Sequence, residues 1–317
     1  MQKIFVLYTG GTIGMKPGPD GLVPDAQLAE QALQPYAEQA VFHWHICQPL
    51  IDSSNITPAH WVQWLAILQA ALPEHDGILV LHGTDTLAYT ANFLALALDN
   101  GGKPIVLTGA QKPYHAADSD APANLQTAVS ALQNPHLHST VIAFGGRLYP
   151  AVGSSKCSTE LDQGFDNAHF GSWQPGQIQP YRLLSPLPAH FNPAARVCSH
   201  LLTPGSSPEQ IAHSLRHFPQ EAAILLSYGQ GHAPKSPELL AAVQHFTQKG
   251  GLLLNISQTH HGRTGTAYAQ SNALRQAGAV GGGKCNIETA TPLMTLAAGN
   301  RWTAEQLQQA LEQLDLT

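Results

Sequence analysis

The sequence predicts an α/β fold: a larger N-terminal domain with a mostly parallel sheet flanked by helices, and a smaller C-terminal α/β domain. Compact apolar runs alternate with segments of helical length, and several of these runs are followed by loops rich in glycine and threonine. Apolar runs without polar alternation are typical of parallel strands that are buried on both faces of a sheet. The length of 317 residues favours two domains, at about 150 residues for each.

Five strands and three helices are predicted in the N-terminal half, in alternation along the chain. The strands are predicted at residues 3–8, 41–47, 77–81, 105–108 and 140–144. Asp25 is a suitable N-cap for a helix that extends to about residue 39, because its side chain accepts a backbone N–H. Thr57 and Pro58 start the second helix, since proline at the first helical position loses no hydrogen bond. A third helix follows Thr86 and extends to about residue 99.

A proline-rich stretch separates the two halves of the chain. The predicted division is an N-terminal domain at residues 1–180, a linker at 181–208 and a C-terminal domain at 209–317. In the C-terminal domain, strands are expected at 223–227 and 252–256, with a helix between them that starts at Ser236-Pro237 and ends at Lys249. Two more helices complete this domain, and the last begins with Thr303-Ala-Glu-Gln306, the pattern of a capping box.

Charged side chains are scarce in this chain. Lys and Arg number 15 and Asp and Glu 21, so the net charge is −6, and charged residues make up 11% of the sequence. An ordinary soluble protein has about 25%. Low charge together with 43% hydrophobic residues excludes a disordered chain. Because no cluster of Lys and Arg is available to neutralise phosphates, we expect no nucleic-acid partner.

The apolar segments are too short for a membrane or an export signal. No apolar run reaches the roughly 18 residues of a membrane span, so we expect no membrane partner. The apolar stretch at residues 1–8 is shorter than the hydrophobic part of a signal peptide and is followed by glycine, without a cleavage site. We therefore expect a cytoplasmic protein, whose four scattered cysteines are reduced thiols.

Four loops are expected to meet at one edge of the N-terminal sheet. Each comes after a predicted strand, and the carboxyl ends of parallel strands share one edge, outside which ligands bind in open α/β sheets. The four loops are Thr9-Gly-Gly-Thr-Ile-Gly14, Ile51-Asp-Ser-Ser-Asn55, His82-Gly-Thr-Asp-Thr86 and Thr108-Gly-Ala-Gln111. The order of the strands therefore predicts a ligand site formed by these loops.

The hydroxyl, carboxylate and amine groups in this region form a candidate catalytic set. Thr12 is a candidate nucleophile, which needs an activating base because a threonine hydroxyl is weak by itself. The glycines before it permit a sharp turn with exposed N–H groups that suit a carboxylate or an oxyanion. Thr84 and Asp85 add a second hydroxyl beside a carboxylate, and Lys156 is the candidate base. The alternative interpretations are a simple turn, a helix N-cap and a solvated surface lysine.

Two long motifs, in order, resemble the signatures of a known family. The segments Thr9-Gly-Gly-Thr-Ile-Gly-Met15 and Leu81-His-Gly-Thr-Asp-Thr-Leu-Ala-Tyr-Thr90 are similar to those of bacterial L-asparaginases of the cytoplasmic type. Three further segments match the same family in their positions: Asp52-Ser-Ser54, Lys156 and Ser227-Tyr-Gly-Gln-Gly-His-Ala-Pro234. The resemblance therefore spans nearly the whole chain. It implies an amidohydrolase that converts L-asparagine to L-aspartate and ammonia without a cofactor or metal, as a homodimer or homotetramer.

The resemblance also implies a role for each matching residue. It implies that Thr12 attacks the side-chain amide and forms a threonyl ester, and that ammonia leaves before water hydrolyses this ester. Thr84, Asp85 and Lys156 correspond to a second catalytic cluster, in which the lysine and the hydroxyl move protons. The implied substrate-binding residues hold the α-carboxylate and α-ammonium groups: Asp52, Ser53, Ser54, Thr84, Asp85 and Glu288. Glu288 corresponds to an acidic residue that in some family members reaches the site of a neighbouring subunit.

One position departs from the family pattern. Family members usually have a tyrosine on the mobile loop after the first signature, where it assists the nucleophilic threonine. In this chain the loop is Gly18-Pro-Asp-Gly-Leu-Val-Pro24, and Leu22 occupies the corresponding position. Leucine has no hydroxyl, so another group activates Thr12, or the chain is slow, or the alignment is shifted within this Gly- and Pro-rich loop.

Two alternatives belong to other functional classes. The segment Gly278-Ala-Val-Gly-Gly-Gly-Lys-Cys285 is nearly a phosphate-binding Walker A loop, but Cys285 replaces the Ser or Thr that binds magnesium. The close histidine pairs, 43/45, 136/138 and 260/261, have neither the spacing nor the third ligand of a metal site. The expectation is therefore solvated histidines and no nucleotide.

Two further alternatives keep the fold. A catalytically weak amino-acid sensor would use the same loops for binding alone, and the leucine at position 22 favours it. The amidase subunit of a tRNA-dependent amidotransferase would need an additional N-terminal domain, whereas the first strand of this chain begins at Lys3.

Overall fold

The computed structural model describes residues 1–19, 21–178, 187, 190–265 and 269–317, without the side chains at positions 22, 26 and 269–271. The chain forms two compact units, Met1–Pro186 and Leu187–Thr317. Each unit has its own sheet and its own helices. The predicted α/β class is confirmed.

A six-stranded sheet forms the centre of the first unit. The strands of this unit are β1 (Gln2–Tyr8), β2 (Met15–Gly18), β3 (Gly21–Pro24), β4 (Ala40–Ile46), β5 (Gly77–Leu81), β6 (Ile105–Thr108), β7 (Thr140–Phe144), β8 (Arg147–Pro150), β9 (Ser154–Lys156) and β10 (Phe165–Asn167). Its helices are α1 (Ala26–Leu33), α2 (Pro58–Ala71), α3 (Leu87–Ala97) and α4 (Ala121–Leu132). The strand order is β4-β1-β5-β6-β7-β8, with β8 antiparallel and every other pair parallel.

Helices cover both faces of this sheet. Every residue of β5, β6 and β7 is buried, as the continuous apolar runs predict. Alternate strand residues, among them Val6, Tyr8, Leu79 and Leu81, pack in one cluster with α1 and α4. Helix α3 lies outside this cluster and packs against β6 and β7, which accounts for the burial of the opposite face.

The helix starts follow the predicted caps, but one helix end does not. Asp25 caps α1 by accepting the N–H of Gln27 at 2.9 Å, and Thr57 precedes α2 with Pro58 in its first turn. The prediction that the first helix extends to about residue 39 is wrong, because α1 ends at Leu33 and a short 3-10 turn follows. Pro35 has no N–H and so cannot donate the next hydrogen bond of the α-helix, and residues Gln34–Tyr36 form the 3-10 turn instead.

Three hairpins, which the sequence analysis does not predict, complete the first unit. Strands β2 and β3 pair directly after the turn that contains Thr12. Strands β7 and β8 are joined by Gly145 and Gly146, with φ angles of 56° and 75°, and positive φ at both central residues is typical of a type I′ hairpin. Strands β9 and β10 pair with Lys156 opposite Phe165, and the first of them contains the predicted catalytic lysine.

The second unit contains a four-stranded parallel sheet. Its strands are β11 (Val197–Leu201), β12 (Ala222–Ser227), β13 (Leu252–Ser257) and β14 (Val280–Gly281), in that order across the sheet. Its helices are α5 (Ser207–His217), α6 (Pro237–Gln248), α7 (Ala269–Gln276), α8 (Ile287–Gly299) and α9 (Ala304–Gln313). The capping box at the start of α9 is confirmed, since Thr303 and Gln306 exchange hydrogen bonds of 2.8 and 3.3 Å.

The region predicted as a linker at 181–208 contains regular structure. Residues 181–186 and 188–189 lie outside the described residues, but β11 and the start of α5 fall within the predicted linker. Strand β11 is half-exposed at the edge of its sheet, so it lacks the continuous apolar run that identifies β12 and β13. Among the described residues, no helix combines the length and the apolar character that a bilayer crossing requires.

Candidate active site

The candidate site lies at the point where the strand order of the first sheet reverses. The chain crosses from β1 to β4 on one side and then returns to β5 on the other side of β1. Such a reversal leaves a crevice outside the carboxyl ends of the strands, where open α/β sheets bind ligands. The loops that follow β1, β4, β5 and β6 are the four predicted from the sequence.

The first, second and third of these loops are in direct contact through their backbones. The N–H of Thr9 donates to the carbonyl of Leu81 at 3.0 Å, and the N–H of Ile51 donates to the carbonyl of Thr9 at 2.8 Å. Gly11 has a φ of 104°, and a Cβ on it would lie 2.5 Å from the nitrogen of Gly83. Only glycine permits both this conformation and this approach, so the backbone before Thr12 lies against the loop of Thr84.

Lys156 connects the two catalytic candidates of the His82–Thr86 loop. Its Nζ donates to Thr84 Oγ1 at 2.8 Å and to Asp85 Oδ1 at 2.6 Å. The side chain of Lys156 is 17% exposed and that of Asp85 is 62% exposed, so the lysine is largely buried while the aspartate is largely accessible to solvent. A hydrogen bond from a positively charged N–H group to a hydroxyl oxygen stabilises negative charge on that oxygen, and such charge develops when the hydroxyl gives up its proton.

The loop after β4 contacts the His82–Thr86 loop through Ser53. Ser53 is 4% exposed, its carbonyl accepts the hydroxyl of Thr86 at 2.7 Å, and its Oγ lies against Gly83. Asp52 is exposed, and its carboxylate accepts both the N–H and the hydroxyl of Ser54 at 2.9 Å. This geometry places the Ser53 side chain beside the Thr84 loop and occupies one oxygen of Asp52 within its own turn.

Thr12 begins a 3-10 turn over Thr12–Gly14 that rests on a buried tyrosine. The Tyr8 hydroxyl occupies the space where a side chain on Gly14 would lie. Burial raises the pKa of Tyr8, and nearby Asp25 adds to the rise. The carboxylate of Asp25 pairs with Lys16 at 2.6 Å, and this hydrogen bond lowers the pKa of Asp25. The pair joins the two ends of the β2–β3 hairpin, and the N–H of Asp25 donates to the carbonyl of Gly14, at the end of the Thr12 turn, at 2.7 Å.

Two predicted positions are not part of the cluster of contacts described above. Glu288 belongs to the second unit, where it lies in the first turn of α8 after the N-cap Asn286. The side chain of Leu22 lies outside the described residues, and its backbone pairs with Pro17 in the β2–β3 hairpin.

Two buried residues that the sequence analysis did not single out hold the loop after β6. Asp120 is 6% exposed, and its carboxylate accepts the N–H groups of Gln111 and Lys112 at 2.9–3.1 Å. One turn further along α4, Asn124 donates to the carbonyl of Gly109 at 3.1 Å and accepts the N–H of Gly145 at 2.9 Å. An acidic residue before Ala121-Pro122 is a helix-start signal, but nothing in the sequence shows that it binds a distant loop.

The glycine-rich segment 278–285 has no free cradle for a phosphate. Its central residues form strand β14, and the N–H groups of Gly282, Gly283 and Lys284 donate to Asn255, Thr264 and Leu316 within the second unit. A phosphate loop needs such N–H groups directed at the ligand. The structure therefore does not support the nucleotide alternative.

Two family models match the two halves of the chain. "Asparaginase, N-terminal" matches residues 3–181, and "Glutaminase/Asparaginase C-terminal domain" matches residues 196–311. The chain is 32% identical to L-asparaginase 1 of Escherichia coli strain K12, over 99% of this chain and 97% of that protein. The chain belongs to the asparaginase family.

Solved structures agree with this assignment. The thermostable L-asparaginase from Thermococcus kodakarensis is similar with a TM-score of 0.85 and 26% identity, over 98% of this chain and 97% of that one. L-asparaginase I from Vibrio cholerae O1 biovar eltor is similar with a TM-score of 0.81 and 28% identity, again over 98% and 97% of the two chains.

Proposed function

We propose that this chain hydrolyses L-asparagine to L-aspartate and ammonia through a threonyl ester on Thr12. The observation that supports it most is the contact of Lys156 with Thr84 and Asp85, beside the close approach of Gly11 to Gly83. A hydroxyl, a carboxylate and an amine thus adjoin the backbone that leads into Thr12. Family membership supports the same reaction.

In the first proposed step, the Thr12 oxygen bonds to the amide carbon of the substrate. The Thr12 proton passes to the cluster of Thr84 and Lys156, which returns a proton to the amide nitrogen. The carbon–nitrogen bond then breaks and ammonia leaves, so the acyl group remains on Thr12 as an ester. Covalent catalysis divides one difficult displacement into two easier ones.

In the second proposed step, water hydrolyses the ester on Thr12. The water oxygen bonds to the ester carbon, and the water proton moves through the same cluster to the Thr12 oxygen as the ester bond breaks. Aspartate leaves and Thr12 regains its hydroxyl. One cluster can serve both directions of proton transfer, because each step ends with the hydroxyl and amine in their starting states.

The substrate's own charges are assigned to the loops around the cluster. The exposed carboxylate of Asp85 is the proposed partner of the α-ammonium group, through a charge-assisted hydrogen bond. Ser53 and the backbone beside Asp52 and Ser54 are proposed to hold the α-carboxylate. Glu288, in the second unit, is a further proposed binding residue.

The decisive experiment compares ammonia release from asparagine by the wild type and by Thr12→Ala. We expect the variant to lose at least about 10³ in kcat, since removal of a covalent nucleophile leaves only binding and electrostatic effects. Acid quenching during turnover, followed by peptide mass spectrometry, should find aspartyl ester on Thr12 in the wild type. Equal and slow ammonia release by both proteins would support the amino-acid sensor instead.

The wider setting of the enzyme is also a proposal. We propose a homodimer or homotetramer that acts in the cytoplasm on a small-molecule substrate, without a cofactor, metal, nucleic acid or membrane partner. The low surface charge implied by 11% charged residues does not oppose association of identical subunits. Sedimentation velocity measures the subunit number directly.

A further inference from the structure

A buried chain of hydrogen bonds leads to the His82–Thr86 loop of the candidate site. The indole Nε1 of Trp61 donates to Thr90 Oγ1 at 3.0 Å, Thr90 Oγ1 lies 2.9 Å from His82 Nε2, and His82 Nδ1 lies 2.7 Å from the carbonyl oxygen of Gly83. His82 is fully buried, and Thr90 and Trp61 are 1% and 4% exposed. The chain connects helices α2 and α3 to the residue directly before Thr84.

The chemistry of the two ends fixes the direction of the whole chain. An indole N–H can only donate and a backbone carbonyl can only accept. His82 therefore has its proton on Nδ1, which donates to Gly83. Burial lowers the pKa of His82 to about 4, so at neutral pH Nε2 is unprotonated and accepts the hydroxyl proton of Thr90. Each donor then has one acceptor, and the imidazole is neutral in a single tautomer.

The carbonyl held by His82 belongs to the peptide that joins Gly83 to Thr84. In a trans peptide the N–H points away from the carbonyl, so this hydrogen bond also fixes the direction of the Thr84 N–H. Gly83 lies against Gly11 and Ser53 on its other sides, and Thr84 accepts from Lys156. The orientation of one peptide thus affects the contacts among three of the four loops.

We propose that His82 is a positioning residue, whose Nδ1–H holds the Gly83–Thr84 peptide in the orientation that aligns Thr84 with Lys156 and with the Thr12 turn. The inference rests on the proposed function, because it assigns the effect of this bond to the reaction at Thr12. His82 itself does not exchange protons with the substrate; its two ring nitrogens are both occupied within the protein.

Two substitutions of His82 can test its hydrogen bonds to Gly83 and to Thr90 one at a time. In His82→Asn the side-chain amide nitrogen takes the place of Nδ1, so the bond to Gly83 is kept and the bond to Thr90 is lost. In His82→Gln the longer side chain reaches the position of Nε2, where its oxygen accepts from Thr90, and the bond to Gly83 is lost. Each variant leaves one buried partner unsatisfied, so both should lose stability to a similar degree.

The test measures kcat and KM for asparagine in the wild type, His82→Asn and His82→Gln, beside Thr12→Ala. We expect His82→Asn to retain kcat within about threefold and His82→Gln to lose roughly 10- to 100-fold, because a small displacement of catalytic groups has effects of that size. KM should change less than kcat in His82→Gln. A control, Val243→Ala, removes buried volume in the core of the second unit and should lower stability without this loss of kcat.

The outcomes separate the two proposals. If the wild type releases ammonia no faster than Thr12→Ala, the proposed function fails. If the wild type is active and the two His82 variants have equal kcat, or lose kcat only in proportion to stability, the positioning role is wrong. A measurement on the wild type covers the case in which neither variant folds: ¹⁵N chemical shifts of the His82 ring should show a protonated Nδ1 and an unprotonated Nε2 at neutral pH, and the opposite tautomer overturns the inference.

Discussion

The ammonium group of Lys156 has two partners that differ in exposure. Thr84, which accepts one of its hydrogen bonds, is 8% exposed, whereas the side chain of Asp85 is 62% exposed. The pair of Lys156 and Asp85 therefore contributes little to stability, since exposed ion pairs are typically worth about 0–1 kcal/mol. In the proposed reaction, Lys156 acts through its contact with the buried Thr84 hydroxyl.

We predict that Lys156→Met abolishes most of the activity while leaving the fold intact. The kcat for asparagine should fall by roughly 10² to 10⁴, the usual contribution of a positioned proton-transfer group, and the free energy of unfolding should fall by less than about 1 kcal/mol. The matched control is Lys103→Met, which removes a hydrogen bond of 2.6 Å to the carbonyl of Leu72, away from the candidate site. A similar kcat for both variants would exclude Lys156 from the reaction.

The elements around the site are held by buried side chains outside the site itself. Helix α4 holds the loop after β6 through Asp120 and Asn124, and that loop adjoins Thr84 at Gly109, where a Cβ would lie 3.5 Å from Thr84 Cγ2. Helix α4 thus supports a loop, residues 109–120, that forms neither helix nor strand. The same arrangement, a loop held by a neighbouring helix, occurs at His82 and α3.

We predict that Asp120→Asn loosens the loop after β6. The asparagine nitrogen would face N–H donors that Asp120 now satisfies, and an unsatisfied buried group costs about 1–3 kcal/mol. Hydrogen exchange at the amides of Gln111 and Lys112 should become faster, together with a loss of unfolding free energy. The control, Asp99→Asn, changes an exposed carboxylate that accepts a single N–H from Gly101 at 3.1 Å; equal effects of the two substitutions would contradict the anchoring role.

Acid sensitivity is a property of the whole molecule to which one buried histidine contributes strongly. Burial lowers the pKa of His82 to about 4, whereas an unfolded histidine titrates near 6.5. Between these pH values the unfolded chain binds a proton that the folded chain does not. The contribution of His82 to stability is therefore complete above about pH 6.5 and is lost as the pH falls towards 4, by about 3 kcal/mol in total.

We predict that the unfolding free energy of His82→Asn depends less on pH than that of the wild type between pH 6.5 and 4. Tryptophan fluorescence measures the unfolding of the first unit, because this unit contains His82 and four of the five tryptophans. The slope of the unfolding free energy against pH should be smaller by up to about 1.4 kcal/mol per pH unit, which corresponds to the uptake of one proton on unfolding. The exposed His136→Asn serves as the control; if its slope changes as much as that of His82→Asn, the buried imidazole is not the cause.

The parallel strands and their loops could be predicted, whereas the hairpins and part of the second unit could not. Strands β5, β6 and β7 have the predicted bounds, because complete burial requires continuous apolar runs. Strands β9 and β10 have only three residues each, and β11 is half-exposed, so their apolar pattern is too weak to identify. The turn at Gly145-Gly146 was a usable hairpin signal, since two glycines there separate two apolar segments.

The sequence by itself determined the fold class, the order of the loops and the residue types they contain. The spacing of apolar runs fixes the parallel strands, and parallel strands bring their carboxyl ends to one edge. Only the tertiary structure decided which side chains touch: Lys156 and Thr84 are 72 positions apart, and the hydrogen bonds of His82 to Thr90 and Gly83 depend on its complete burial between helices and sheet. Contacts between distant residues, and the burial that lowers the pKa of His82, arise from packing in three dimensions, which local sequence patterns do not contain.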